Sequence, residues 1–226
     1  MISPMFPLSG VFVPSDIVSL RIFEPRYVAM CKDILAGQEL VFGTVMITAG
    51  SEVGGDDRRG DRGTLVSIEE MFATDDGGYV ILGRAGERCS IETWLPDDPY
   101  PIADITALGP LQSTSSLRNE VCDRLTMIAQ RVRSLIFQLA EQRGISMEPL
   151  AELTQLAAGQ WGYDAPDDAR IDAAFWSLIR HTPCGPQDRY ALLRARDLNE
   201  GLVILERVLE HIAEVIAFQT FPPNES

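Results

Sequence analysis

The spacing of apolar residues changes once along the chain, near residue 112. Before that point apolar residues come as short runs and alternations, the signature of β-strands. After it they recur every three or four positions, the signature of amphipathic helices. The first half is organised around Leu20-Arg21-Ile22-Phe23-Glu24-Pro25-Arg26-Tyr27. Ile17, Val18 and Leu20 lead into this stretch as extended chain. Pro25 then suits the first helical position, where its missing N–H costs nothing, and it holds Glu24 out of helical geometry. Val28, Cys31, Ile34 and Leu35 continue at helical spacing, and Gly37 closes the helix. Glu24 stands at the positive end of that helix, with Arg21 and Arg26 near enough in sequence to pair with it.

Phe6 to Leu20 reads as short extended pieces, with Val11, Phe12 and Val13 as strand formers. Glu39 to Ala49 is a strong strand, apolar almost throughout, which implies burial on both faces or a place inside a small barrel. Gly43 marks a bend or bulge in it. Gly50 to Gly63 has almost nothing to bury and reads as an exposed loop, either a recognition loop or a tolerated insertion. Thr64–Phe72 and Tyr79–Leu82 form a hairpin across the turn Asp75-Asp76-Gly77-Gly78. Gly83 to Gly86 turns again into the strand Glu87–Trp94, and Ile102–Leu108 is a further strand. Curling such a sheet under a helix buries these pieces without long free edges.

Pro110 to Ser116 reads as a hinge. Leu117, Val121, Leu125, Ile128, Val132, Leu135 and Leu139 then make one stripe on a long helix ended by Gly144. Shorter helices follow over Pro149–Ala158, after the caps Asp167 and Asp168, and from Pro186. The last helix carries Leu198, Leu202, Leu205, Leu209, Ile212 and Ile216, and Pro222 and Pro223 end order. About five helices result, and their stripes serve an intramolecular core in preference to a dimer seam.

Charge and chemistry narrow the function. A formal net charge of −14 opposes a nucleic-acid partner. Cys31, Cys89, Cys122 and Cys184 make no CxxC pair, so they read as free thiols of a reducing compartment. Pro4, Pro7 and Pro14 interrupt the N-terminal apolar residues, no basic region precedes them, and no run suffices to span a bilayer. The protein is therefore expected in the cytoplasm. His181 and His211 are the only histidines, without HExxH or ligand spacing, so neither metal nor cofactor is expected. Pro183 breaks the helix that would align His181 with Cys184, and a helix-terminal histidine favourable to the dipole is the simpler reading. Lys32 is the single lysine and no GxSxG elbow occurs. The acidic pairs Asp56-Asp57, Asp75-Asp76 and Asp97-Asp98 fall in turns. No catalytic group assembles. Trp94, Tyr100, Trp161 and Tyr163 lie in or beside loops, where aromatic residues either anchor a partner or cover a small core.

Phe6-Pro7-Leu8, Val11-Phe12-Val13-Pro14 and the motif Leu20–Tyr27 resemble the LON substrate-binding domain. Phe42-Gly43-Thr44-Val45, Arg62-Gly63-Thr64-Leu65-Val66-Ser67-Ile68, the Asp75–Gly78 turn, Gly86-Glu87-Arg88-Cys89-Ser90-Ile91 and Pro186–Leu193 follow in the family's order. Arg21 replaces the family's usual histidine, and Cys89 its aromatic residue. The resemblance implies an α+β protein, with a PUA-like pseudo-β-barrel over residues 1–112 and an all-α helical bundle over 113–226. It also implies a free-standing bacterial relative of the N-terminal domain of Lon proteases, without their ATPase or peptidase. Such a protein would be a non-enzymatic module that recognises unfolded or client polypeptides, with a protease or another protein as a further partner. Trp94, Tyr100 and Trp161 are the candidate contacts, at a cleft between barrel and helices. Phe23, Glu24, Pro25, Arg26 and Tyr27 are assigned to architecture. A small-ligand-binding domain is the alternative, and an RNA-binding PUA-like module ranks below it because the charge opposes it.

Overall fold

The computed structural model describes residues 1–37, 39–50, 58–113, 118–146, 148, 150–161 and 166–220. The fold is α+β, with one mixed sheet and six helices among these residues. The chain divides into two compact units, Met1–Gly109 and Pro110–Ser226.

The first unit contains β1 (Ile2–Leu8), β2 (Ile17–Ile22), α1 (Pro25–Ala36), β3 (Val41–Ala49), β4 (Arg58–Ala73), β5 (Tyr79–Trp94) and β6 (Ile102–Leu108). The strand order is β2-β5-β4-β3-β1-β6, and β5 also pairs with β6. That second pairing closes β5-β4-β3-β1-β6 into a ring and leaves β2 outside it, beside the first half of β5. Two long strands make this possible. Tyr79–Arg84 of β5 pairs with β2, whereas Arg88–Trp94 pairs with β6. A turn was expected at Gly83–Gly86, but β5 runs through it, because β4 and β2 pair with this stretch from both sides.

Three further expectations change. Strand β1 begins at Ile2, and Val11–Val13 lie outside any strand. Pro4 and Pro7 are tolerated because β1 changes partner between them: Ile2–Pro4 pairs with β6 and Met5–Leu8 with β3, so each proline has one neighbour in register. Arg58–Gly63, expected in a loop, form the start of β4, with Arg59 opposite Ile47 and Gly63 opposite Val45. The middle of the expected loop, residues 51–57, lies outside the described residues. Gly43 is no bulge. The register shifts of β3 come later, at Val45–Ile47 and Ile47–Ala49. Gly43 faces Met5, and a Cβ there would sit 2.4 Å from the Met5 sulfur. Glycine therefore makes room for a buried side chain on the neighbouring strand.

Strand β3 is apolar at most positions because both its faces are covered. Phe42 belongs to a cluster with Phe6, Tyr27, Met30, Val66 and Ile81, while Val45 packs with Met5, Cys89, Ala103 and Ile105. Helix α1 covers the first cluster with Tyr27, Met30, Cys31 and Ile34. Leu35, expected on that stripe, is exposed. Burial pushes the Cys31 thiol up to about 11 and the Cys89 thiol up to about 12, as apolar surroundings disfavour thiolates.

The second unit holds α2 (Arg118–Gln142), α3 (Ala151–Ala157), α4 (Asp168–His181), α5 (Pro186–Leu193) and α6 (Leu198–Thr220). The stripes are buried within the chain: Val121, Leu125, Ile128, Val132 and Leu135 on α2, and Leu198, Leu202, Leu205, Leu209 and Ile216 on α6. Leu117 lies outside the described residues. Gly144 ends α2 at φ +64, and the N–H of Ile145 returns to Ala140 O, which satisfies a terminal carbonyl. Asp167 caps α4 by accepting from the Arg170 N–H at 2.8 Å. Arg124 of α2 grips Glu206 of α6 with both Nε and an amino nitrogen at 2.6 Å.

His181 ends α4, but it is not the charged partner of the helix dipole. Burial first, and the neighbouring Arg180 second, push its pKa below 6.5, and together they outweigh Glu152 at 3.6 Å. The unfolded chain therefore binds the proton more readily. The stabilisation from the neutral ring is complete above about pH 6.5 and is lost as pH falls. We expect Tm to drop between about pH 7 and 5, and His181→Gln to flatten the part of that drop due to this group. Parallel Tm–pH curves for the variant and the parent would show that His181 has no share in it.

Candidate functional site

The site begins with the motif around Pro25. Glu24 is the N-cap of α1 with extended backbone, and Pro25 is the first helical residue. The Glu24 carboxylate makes no capping hydrogen bond and instead accepts from Arg26 Nε at 3.1 Å. The Arg26 guanidinium lies 4.5 Å from the centre of the Tyr27 ring. Tyr27 is buried against Phe6, with ring centres 4.3 Å apart. Glu24, Pro25, Arg26 and Tyr27 thus lock the strand-to-helix corner. Arg21 was expected near Glu24. It points along the outer sheet face and donates to Asp76 at 2.8 Å. Hydrogen bonds from Thr74 and Arg21, then from the Gly78 N–H, hold the Asp76 carboxyl down at about 2, so the turn keeps its charge.

Phe23 differs from its neighbours. Its ring is 69% exposed, and it contributes nothing to the core. Ile17, at the start of β2, is 68% exposed, and Phe72 of β4 is 49% exposed. Strand alternation explains why these residues share a face. Val18 and Ile22 point into the core, so Ile17, Ser19, Arg21 and then Phe23 point out. The register aligns Arg21 of β2 with Val80 of β5, and Val80 with Phe72 of β4. The outer face of β2, β5 and β4 therefore carries Ile17, Phe23, Phe72 and the half-buried Val80 and Leu82, together with the ion pairs Arg21–Asp76 and Arg84–Glu69. Apolar groups gathered this way on a sheet face are a feature of contact surfaces.

The aromatic residues singled out above fall into different settings. Trp94, at the end of β5, is half-buried, and the Arg59 guanidinium lies 4.6 Å from its ring centre. Asp97 fixes Arg59 in that position, at 2.9 Å for one of their two hydrogen bonds. Tyr100 is only 7% exposed and donates its hydroxyl to Asp33 at 2.9 Å. Burial and that acceptor push its pKa up to about 12. Tyr100 therefore ties the loop before β6 to α1 and presents no free ring face. Trp161 is half-buried in the helical unit, with its indole N–H 3.3 Å from the Thr126 hydroxyl. Tyr163 lies outside the described residues. His181 and Cys184 line different hollows, and no set of three metal-binding side chains comes together among the described residues.

The family model described as the ATP-dependent protease La (LON) substrate-binding domain matches residues 2–213. The chain belongs to this family. The LON match spans both units, so the helical half belongs to the domain as much as the sheet does. Solved LON structures agree in fold. The Lon N-terminal domain protein from Xanthomonas campestris shares 20% identity at a TM-score of 0.54, over 93% of this chain and 98% of that one. The N terminal domain of Mycobacterium avium complex Lon protease shares 12% identity at a TM-score of 0.58, again over 93% and 98%. No curated protein matches. Within the LON frame, Ile17 and Phe72 are the residues that sequence reading passed over. Each looked like an ordinary strand residue. The signal was present at Ile17 in β2 and at Phe23 just after it, outward positions that are apolar where polar residues are usual.

Proposed function

We propose that this chain is a non-enzymatic module that recognises unfolded polypeptides, with the outer face of β2, β5 and β4 as its contact surface. The observation that carries this reading is the exposure of Phe23, Phe72 and Ile17 on one face of a chain that belongs to a substrate-binding family. Unfolded chains differ from folded ones in displaying apolar side chains, and an open apolar face selects for them. We read the ring of strands as a PUA-like pseudo-barrel and the second unit as a helical subdomain. Trp94 and Trp161, both half-buried, are secondary contacts, whereas Tyr100, held by Asp33, stays inside the core. Client proteins, with a protease or another protein as a further partner, are the expected ligands, and the cytoplasm is the expected location. Among the described residues no helix is long and apolar enough to cross a membrane.

The test is the double variant Phe23→Ser, Phe72→Ser, titrated against a fluorescent, reduced and alkylated test protein. Phe23 is largely exposed and Phe72 about half exposed, so stability should change by about 0.5 kcal/mol at Phe23 and by about 1 kcal/mol at Phe72. Binding should weaken by roughly tenfold or more. Unchanged affinity in a folded variant would remove this face from the account.

A hollow of about 310 Å³ in the helical unit favours a small-ligand reading. Ile136, Leu139, Ile145 and Leu150 give it apolar walls, and Arg180 and His181 edge it. A metabolite that raises Tm, with no polypeptide bound, would favour that reading.

A further inference from the structure

The edge of β2 carries the polypeptide reading one step further, and the inference rests on that reading. β2 is the terminal strand of the sheet order and pairs only with β5. In any edge strand, alternate residues turn their N–H and C=O groups away from the neighbour. Among the described residues, no hydrogen bond reaches the backbone of Ile17–Ile22 from any element other than β5.

Proteins usually blunt such edges with bulges, prolines, lysines or inward charges. The same three-stranded extension shows both treatments. The end of β4 also runs past its neighbour, since β3 reaches only to Ser67 in register. It is blunted: its register with β5 shifts between Ile68 and Glu70, and Glu70 adds a charge beside the Glu69–Arg84 pair. Strand β2 has none of these devices. Its six pairs with β5 run without a shift, it contains no proline, and its inward residues Val18 and Ile22 are apolar. Its one charge, Arg21, is held by Asp76. Exposed Ile17 begins the strand and exposed Phe23 follows it.

We infer that the free edge of β2 accepts an added strand from an extended polypeptide. A row of alternating donors and acceptors at strand spacing is matched by another extended backbone and by no compact ligand. The hydrogen bonds use only the ligand's backbone, so recognition tolerates varied sequences. Ile17, Arg21 and Phe23 then lie beside every second side chain of the added strand and favour apolar residues there.

The experiment uses the full chain and two fluorescent peptides. One is an alternating valine–threonine segment with paired lysines at each end, chosen because the protein carries a net charge of −14. The other has the same side chains with every backbone nitrogen of the segment methylated. Anisotropy reads affinity, and NMR-detected hydrogen exchange reads the β2 amides. The first peptide should bind, slow exchange at alternate residues of Ile17–Ile22, and outbind its methylated twin by roughly tenfold or more. Equal binding of the twins, or no slowing at β2, would overturn edge pairing and leave polypeptide recognition standing. Failure of both the peptide and an unfolded alkylated protein to bind would end both ideas. Slow exchange at β2 that grows with protein concentration without peptide would assign the edge to a second copy of the chain, and that too would overturn the inference.

Discussion

Replacing Phe42 with alanine should destabilise the first unit by about 3–5 kcal/mol. Phe42 is fully buried on β3, opposite Val66 of β4. Its ring stands edge-on to Phe6, centres 6.4 Å apart, and Phe6 in turn meets Tyr27 of α1. The ring therefore joins the sheet to the helix that follows the Pro25 corner. Truncation leaves a cavity walled by two sheet strands and a helix, which cannot collapse without moving hydrogen-bonded backbone. Phe42→Leu keeps most of the volume and should cost less than half as much. Chemical denaturation followed by circular dichroism measures both. A cost below about 1 kcal/mol for Phe42→Ala would mean that this cluster does not hold the unit together.

Trp176→Ala should have an effect of similar size, about 3–5 kcal/mol, in the helical unit. Trp176 is 1% exposed and packs edge-on against Phe175, with centres 4.9 Å apart. Its indole N–H donates to Asp172 Oδ1 at 2.9 Å, and the Leu111 N–H donates to the same oxygen at 2.8 Å. One carboxylate oxygen thus fixes both the tryptophan and the first residues of the unit. Trp176→Phe separates packing from hydrogen bonding, because it keeps an aromatic ring and drops the donor. It should cost roughly 1–2 kcal/mol. Equal losses for the two variants would place the energy in the hydrogen bond and contradict the packing account.

The elements whose local signals agreed with their surroundings were legible in the sequence. Pro25 after an extended run marks a helix start, and α1 begins there. Asp167 before an apolar stripe marks a cap, and it is one. Three departures in the sheet involve partners distant in sequence. Arg58–Gly63 is polar and glycine-rich, yet the end of β3 draws it into the sheet. Gly83–Gly86 has turn composition, yet strands on both sides keep it extended. Pro4 and Pro7 argue against a strand until β1 is seen to change partner between them.

The site was legible only in part. Phe23 stood inside a motif whose other members build a corner, so its exposure was hidden by its neighbours. Phe72 looked like a hairpin strand residue, and only the register placing it in line with Val80 and Arg21 joins it to β2. Tyr100 sat among prolines as a loop aromatic should, but Asp33, far away in sequence, takes its hydroxyl inward.

If this chain recognises polypeptides by their unfolded state, as we propose, one protein in two states should be told apart. The most direct measurement is the anisotropy of one labelled test protein, titrated with the chain in its folded form and again after reduction and alkylation. Saturable binding of the unfolded form is expected, with the folded form roughly tenfold weaker or more. No binding of the unfolded form, or equal binding of the two, would contradict the proposal.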